Sequence, residues 1–201
     1  SWPIDLTPTV EALLRGVADL AGEEYSPEPD VVDRLVSHLG SAAKFIDPTL
    51  RNTANTTRLS AGCQSNVIPD RAEAVIDTRV LAGQEEKVLA KIEELAGPRV
   101  KVEPIRTDIA IEQPFDVPLV HKMAEALQAE DPGAVVLPYA LSGGTDNKHL
   151  SRLGIAGYGF APLRLPPDLD FPAQFHGVDE RVPIDGLEFG VRVLERFLRD
   201  C

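Results

Sequence analysis

The chain has 201 residues, 43% of them hydrophobic, with a formal charge of −12 and a pI near 4.7. That is enough apolar material for one large or two small packed domains, which excludes global disorder. The acidic balance, without any cluster of Lys and Arg, argues against nucleic acid and anionic membrane surfaces as partners, and no apolar run approaches the roughly 20 residues of a membrane span.

In chain order, Thr7-Pro8-Thr9 marks a helix start, and Val10, Leu13, Leu14 and Val17 make its apolar stripe. Ser26-Pro27-Glu28-Pro29-Asp30 interrupts the chain before a second short helix that carries Val31, Val32, Leu35 and Leu39. This part shows no chemistry and reads as a packing or docking element. Thr53 to Ala61 is rich in threonine and reads as a strand. Residues 72–81 alternate, with Ala74, Ile76, Thr78 and Val80 on one face. A helix follows over 84–96, stopped by Gly97-Pro98, and residues 99–105 alternate again. Strand, strand, helix, strand predicts a small α+β unit with helices on one face of an antiparallel sheet.

After Ile111-Glu112-Gln113-Pro114 the pattern changes. Residues 115–130 read as a helix with Leu119, Met123 and Leu127 on its stripe. Strands are expected at 135–139 and 155–160, with a short helix near 148–153 between them. A Pro-rich loop, 162–172, leads to Phe175-His176-Gly177-Val178-Asp179-Glu180. The chain closes on an amphipathic helix over 185–199, with Leu187, Val191, Leu194 and Leu198 at helical spacing. Alternation of this kind predicts an α/β unit over 114–201, beside the α+β unit over 1–113.

Three constellations can carry chemistry. Ser142-Gly143-Gly144-Thr145-Asp146 lies between a predicted strand and a helix. It is either a cradle whose N–H groups and Thr145 hydroxyl face an anion, or a tight capped turn. His176, before a glycine at the end of a loop, is either a ligand aimed into a cleft or a surface histidine. Asp179 and Glu180 beside it can orient it or bind a cation themselves. Arg79 can grip a carboxylate through two parallel hydrogen bonds, and Asn66 can donate to a carbonyl oxygen. Singly, these two read equally as a surface ion pair and a turn residue. Cys63 and Cys201 have no metal-type spacing, and free thiols in a reducing cytoplasm are expected.

Taken together the segments resemble a known family. Their order is Asn66-Val67-Ile68-Pro69, Ala74-Val75-Ile76-Asp77-Thr78-Arg79, Ser142-Gly143-Gly144-Thr145-Asp146, Gly157-Tyr158-Gly159-Phe160 with Pro162, and His176-Gly177-Val178-Asp179-Glu180. This is similar to the co-catalytic zinc amidohydrolases that include aminoacylase, succinyl-diaminopimelate desuccinylase and glutamate carboxypeptidase. The resemblance implies a lid or dimerisation domain over 1–113 and the C-terminal part of an α/β catalytic domain over 114–201. It implies a substrate that is a small peptide or N-acyl amino acid, and a homodimer formed through the lid. His176 matches the last histidine ligand of a two-zinc site. Asn66 and Arg79 match lid residues used on the substrate, often across the dimer, while Gly143, Gly144 and Thr145 match the loop that holds its carboxylate end.

The family's other ligands are a His-x-Asp pair, a bridging Asp, a Glu-Glu pair and a further acid, and none matches here. No catalytic residue is therefore assigned within the chain. Its start at Ser1-Trp2-Pro3, with neither an initiator Met nor a signal peptide, is compatible with a fragment. Such a fragment is expected to hold zinc weakly if at all and to be inactive alone. In the complete enzyme the resemblance implies two metals that polarise the scissile carbonyl and generate hydroxide, with a glutamate as general base. The rival expectation is a non-catalytic dimerisation or ligand-binding module built on the same fold.

Overall fold

A computed structural model describes residues 2–201. Helix α1 spans Pro8–Ala21, with proline in its first turn where a missing N–H costs nothing, and it ends at Gly22, whose φ of 69° is left-handed. Thr7 does not cap it through its side chain. Instead the Glu112 carboxylate accepts from the Thr9 N–H at 2.6 Å, so the predicted boundary segment folds back onto the start of α1. Helix α2 spans Pro29–Ser37 and α3 spans Ala43–Ile46, flanked by short 3₁₀ turns.

Val10, Leu13, Leu14 and Val17 of α1 are buried against Val32, Leu35 and Val36 of α2, with Ile46 and Leu50 beneath them. Each fully buried Leu or Val contributes about 1.5–3 kcal/mol relative to exposure, so this cluster is the main stabilising core. Leu137 and Ala140, from the second half of the chain, pack against it.

Strands β1 (Thr53–Ala61) and β2 (Ala72–Arg79) form an antiparallel hairpin, with Thr53 paired to Arg79 and Ala61 to Ala72, and an irregularity between Thr56 and Arg58. Most of its residues are exposed, including Ile76, which periodicity places on a buried face. The hairpin is pinned at its root by Asn52, which is only 2% exposed. The Asn52 Oδ1 accepts from the Leu81 N–H at 2.8 Å, and its Nδ2 donates to Gln84 Oε1 at 2.8 Å. Gln84 in turn donates to Asp5 at 2.7 Å, so both hairpin ends are tied to the N-terminal segment.

Helix α4 is Glu85–Ala96, α5 is Pro118–Glu130, α6 is Asn147–Ser151 and α7 is Ile184–Arg199. Helices α5 and α7 enclose a second core of Ala126, Phe189 and Val193, with Phe160 and Phe197 meeting edge to face at 5.5 Å. Glu130 joins the two helices, accepting from Arg192 Nε at 2.9 Å and Arg196 Nε at 2.6 Å. Those two arginines hold its carboxyl below the usual range.

Among the described residues, the helices with one antiparallel sheet make an α+β arrangement. Three predicted strands differ. Among the described residues, 99–105, 135–139 and 155–160 pair with no neighbour. Alternation specifies an extended segment, but a strand also needs a laddered partner. Leu137 goes to the α1–α2 core and Phe160 to the α5–α7 core instead. The α7 register differs too: Gly186, Phe189, Gly190 and Val193 are buried, while the predicted stripe of Leu187, Val191, Leu194 and Leu198 is exposed.

Candidate functional site

Arg79 is the last residue of β2. Its Nε donates to Asp77 Oδ1 at 2.8 Å, two residues back on the same face of the strand. Its Nη1 donates to the Ser142 carbonyl at 3.1 Å, across 63 residues of sequence. The structure thus joins two predicted substrate-binding elements, the end of β2 and the Gly-Gly-Thr loop. Two of its three guanidinium nitrogens are thus engaged, with half of the side chain still exposed.

Gly143, Gly144 and Thr145 are exposed. Neither glycine has a left-handed φ, and an added Cβ on Gly144 would meet nothing within 4 Å. Glycine here is therefore not required by backbone conformation or by packing within the chain. The Thr145 carbonyl accepts from the Lys148 N–H at 3.2 Å as α6 begins. Lys148 also approaches Asp108 at 3.9 Å, where Arg106 (3.0 Å) and Arg152 (3.6 Å) converge. Partial burial pulls the Asp108 carboxyl up, but Lys148, Arg106 and Arg152 together bring it below the usual range. Three cations thus surround the one carboxylate of Asp108 beside α6. Asp108 lies in a stretch without periodicity, and nothing in the sequence marks it.

His176 has φ 60°, the single positive φ outside glycine among the described residues. Histidine is one of the few side chains that adopts this region without large cost. The turn is set by the Gly177 N–H, which donates to the Gln174 carbonyl at 2.8 Å. Phe175, the residue before, packs against Phe171 at 5.1 Å and Phe45 at 5.5 Å between ring centres, and Phe45 reaches Tyr139 at 6.3 Å. This aromatic chain links the His176 turn to the strand-like segment that leads into Ser142. It was not expected, although two of the chain's seven phenylalanines falling within 171–175 is a readable signal.

His176, Asp179 and Glu180 are all exposed, and Asp179 lies 3.9 Å from Arg181. Among the described residues no three His, Cys, Asp or Glu side chains are grouped to hold a metal. Zinc takes at least three protein ligands in most sites, so the donors of this chain do not by themselves fit a zinc pair.

Asn66 lies in the exposed turn between β1 and β2. Arg79 is at the opposite end of the hairpin, and eight residues of strand separate the two ends by roughly 23 Å at 3.3 Å per residue. The fold brings Arg79 to the loop at 142–145 and leaves Asn66 apart from both. Cys63, in the same turn, and Cys201 are exposed free thiols. No helix among the described residues is long and apolar enough to cross a membrane.

Residues 10–103 match the peptidase dimerisation domain of the M20 type. The N-fatty-acyl-amino acid synthase/hydrolase PM20D1 of Bos taurus is 26% identical over 202 residues, covering 94% of this chain and 39% of that protein. PM20D1.1 of Danio rerio is 31% identical over 147 residues, covering 69% of this chain and 28% of that protein. The chain therefore spans two fifths or less of the length of these relatives. The fold is shared with an M20 family metallo-carboxypeptidase from Sulfolobus solfataricus, at a TM-score of 0.57 and 17% identity, over 97% of this chain and 45% of that one.

Proposed function

We propose that this chain, a relative of the M20 peptidases, is the dimerisation and substrate-holding part of a longer hydrolase that cleaves an amide bond in a small N-acyl amino acid or peptide. Residues 1–113 are the dimerisation unit in this reading, and 114–201 belong to the catalytic domain. The observation that supports it most is the hydrogen bond from Arg79 to the Ser142 carbonyl. It sets a cation beside exposed backbone at Gly143 and Gly144, close in sequence to Lys148, which shares Asp108 with Arg106 and Arg152. Such a place suits the carboxylate end of an amino-acid substrate. Arg79 orients the loop through Ser142 and offers its remaining guanidinium N–H groups to that carboxylate. Asn66, at the hairpin tip, is positioned to serve the site of a second copy rather than its own.

His176 contributes one ligand to a zinc pair whose remaining ligands belong to a further segment of the protein. The two exposed thiols fit a reducing, cytoplasmic setting. The test is hydrolysis of N-acyl amino acids by the full-length protein, with and without a chelator, in wild type and in His176→Asn and His176→Gly. Both substitutions accept φ 60°, so they remove the imidazole while sparing the turn. Loss of activity in both, at unchanged thermal midpoint, is expected. Full activity in His176→Asn together with indifference to chelation would sink the proposal and favour a non-catalytic dimerisation module.

A further inference from the structure

Asp77 precedes Arg79 by two residues on β2, and its Oδ1 accepts from Arg79 Nε at 2.8 Å. Both side chains are about half exposed, and an ion pair so open to solvent adds little to stability. What it does fix is direction. An arginine carries much rotamer freedom on a planar fork, and holding Nε sets the plane in which its other N–H groups point. Asp77 and Arg79 share one face of β2 and stand opposite Asn55 and Thr53 of β1 in the ladder. The acceptor is therefore built into the same rigid element that carries the arginine.

Direction matters because the loop has little else to hold its upstream side. Among the described residues, the backbone of 141–144 exchanges no hydrogen bond with other backbone. A Cβ added to Gly144 would meet nothing within 4 Å, and one added to Gly143 would meet Leu141 at 3.7 Å. Arg79 Nη1, donating to the Ser142 carbonyl at 3.1 Å, is the tether on that side. The downstream side is held separately. The Thr145 carbonyl accepts from the Lys148 N–H at 3.2 Å, and Asn147 packs so closely on Gly157 that a Cβ there would lie 2.5 Å from Asn147 Cγ. We propose that Asp77 is a positioning residue: it orients the Arg79 guanidinium so that one N–H group holds the loop at Ser142 while the remaining ones face the substrate's carboxylate. The inference rests on the reading of the protein as a hydrolase of carboxylate-bearing amides, and adds to it the residue that sets the arginine's geometry.

The experiment is a double-mutant cycle on Asp77→Ala and Arg79→Ala in the full-length protein, read by hydrolysis of N-acyl amino acids from N-acetyl to N-palmitoyl. Asp77→Ala alone should lower kcat/KM by about 3–30-fold, the size of coupling within one hydrogen-bonded network, and by less than about twofold once Arg79 is already alanine. The loss should fall chiefly on KM, since the grip on the carboxylate is already made in the bound ground state. Asp77→Asn, whose amide oxygen still accepts from Nε, should recover most of it. Hydrogen–deuterium exchange gives a readout that needs no turnover: residues 141–145 should exchange faster in Asp77→Ala and in Arg79→Ala alike, at unchanged thermal midpoint. Losses that multiply in the double variant, or exchange in Asp77→Ala that stays at the wild-type rate, reduce Asp77 to a surface ion pair and overturn the proposal. Faster exchange in both variants of a protein whose wild type hydrolyses no N-acyl amino acid keeps the role of Asp77 on the loop and refutes the hydrolase reading. Hydrolysis by wild type that Asp77→Ala leaves untouched does the reverse.

Discussion

The Pro-rich loop that leads to His176 is seated on α7 through two glycines. An added Cβ at Gly186 would lie 2.7 Å from the Arg164 carbonyl oxygen, and one at Gly190 closer still to the Pro162 carbonyl oxygen. Both obstacles are backbone atoms, which cannot swing aside as a side chain does. Gly190→Ala is the more telling substitution because Gly190 is inside the helix, where alanine by itself stabilises by about 1 kcal/mol. Forcing a methyl into packed backbone costs about 1–3 kcal/mol, and a carbonyl so close to the new atom places this site in the upper half of that range. The net expectation is a loss of about 1–2 kcal/mol. For a chain of this size, that lowers the thermal midpoint by roughly 2–8 °C. Unfolding followed by circular dichroism measures it. A midpoint that rises, as helix propensity alone would give, refutes the close seating of 162–164 on α7.

Asn52→Ala strips the hydrogen bond from the Leu81 N–H, in a residue only 7% exposed, and should cost about 1–3 kcal/mol in denaturant unfolding. A change below about 0.5 kcal/mol would mean that the hairpin root is not held by this amide. Glu130 has its pKa lowered by Arg196 and Arg192, so its contribution to stability is complete above the unfolded carboxylate value of about 4.3 and fades as pH falls through the lower folded value. Glu130→Gln should therefore lower the thermal midpoint at neutral pH, with the gap to wild type closing in acid; a gap constant with pH would contradict the pairing. On α7, Val193→Ala should destabilise by about 1–3 kcal/mol, whereas Val191→Ala, on the exposed face, should fall within about 0.5 kcal/mol of wild type. The opposite ranking would restore the stripe that periodicity suggests.

Helices α1, α2, α4, α5 and α7 were legible because their signals are local: proline at the first turn of α1, α2 and α5, glycine after α1 and α4, and apolar spacing between. The hairpin was legible for the same reason, since its first strand is rich in threonine, its second alternates, and the two follow one another in sequence. What local pattern cannot supply is the partner. Residues 135–139 and 155–160 are short apolar runs that read as strands, yet their backbones find no ladder and their side chains join two different helical cores. The site divides along the same line. Motif order pointed to Arg79, Gly143, Gly144, Thr145 and His176, but the Arg79–Ser142 contact and the aromatic path from Tyr139 to Phe175 depend on residues far apart in sequence. Helix α7 shows why periodicity misleads when apolar residues occupy both sides. Gly186 and Gly190 count little on a hydrophobic scale, so the leucines and valines at 187, 191, 194 and 198 set the apparent stripe. Packing obeys shape instead: the glycines open a groove that takes the backbone of 162–164, and Phe189 and Val193 beside them become the buried face. The exposed stripe then remains a second apolar surface on the same helix.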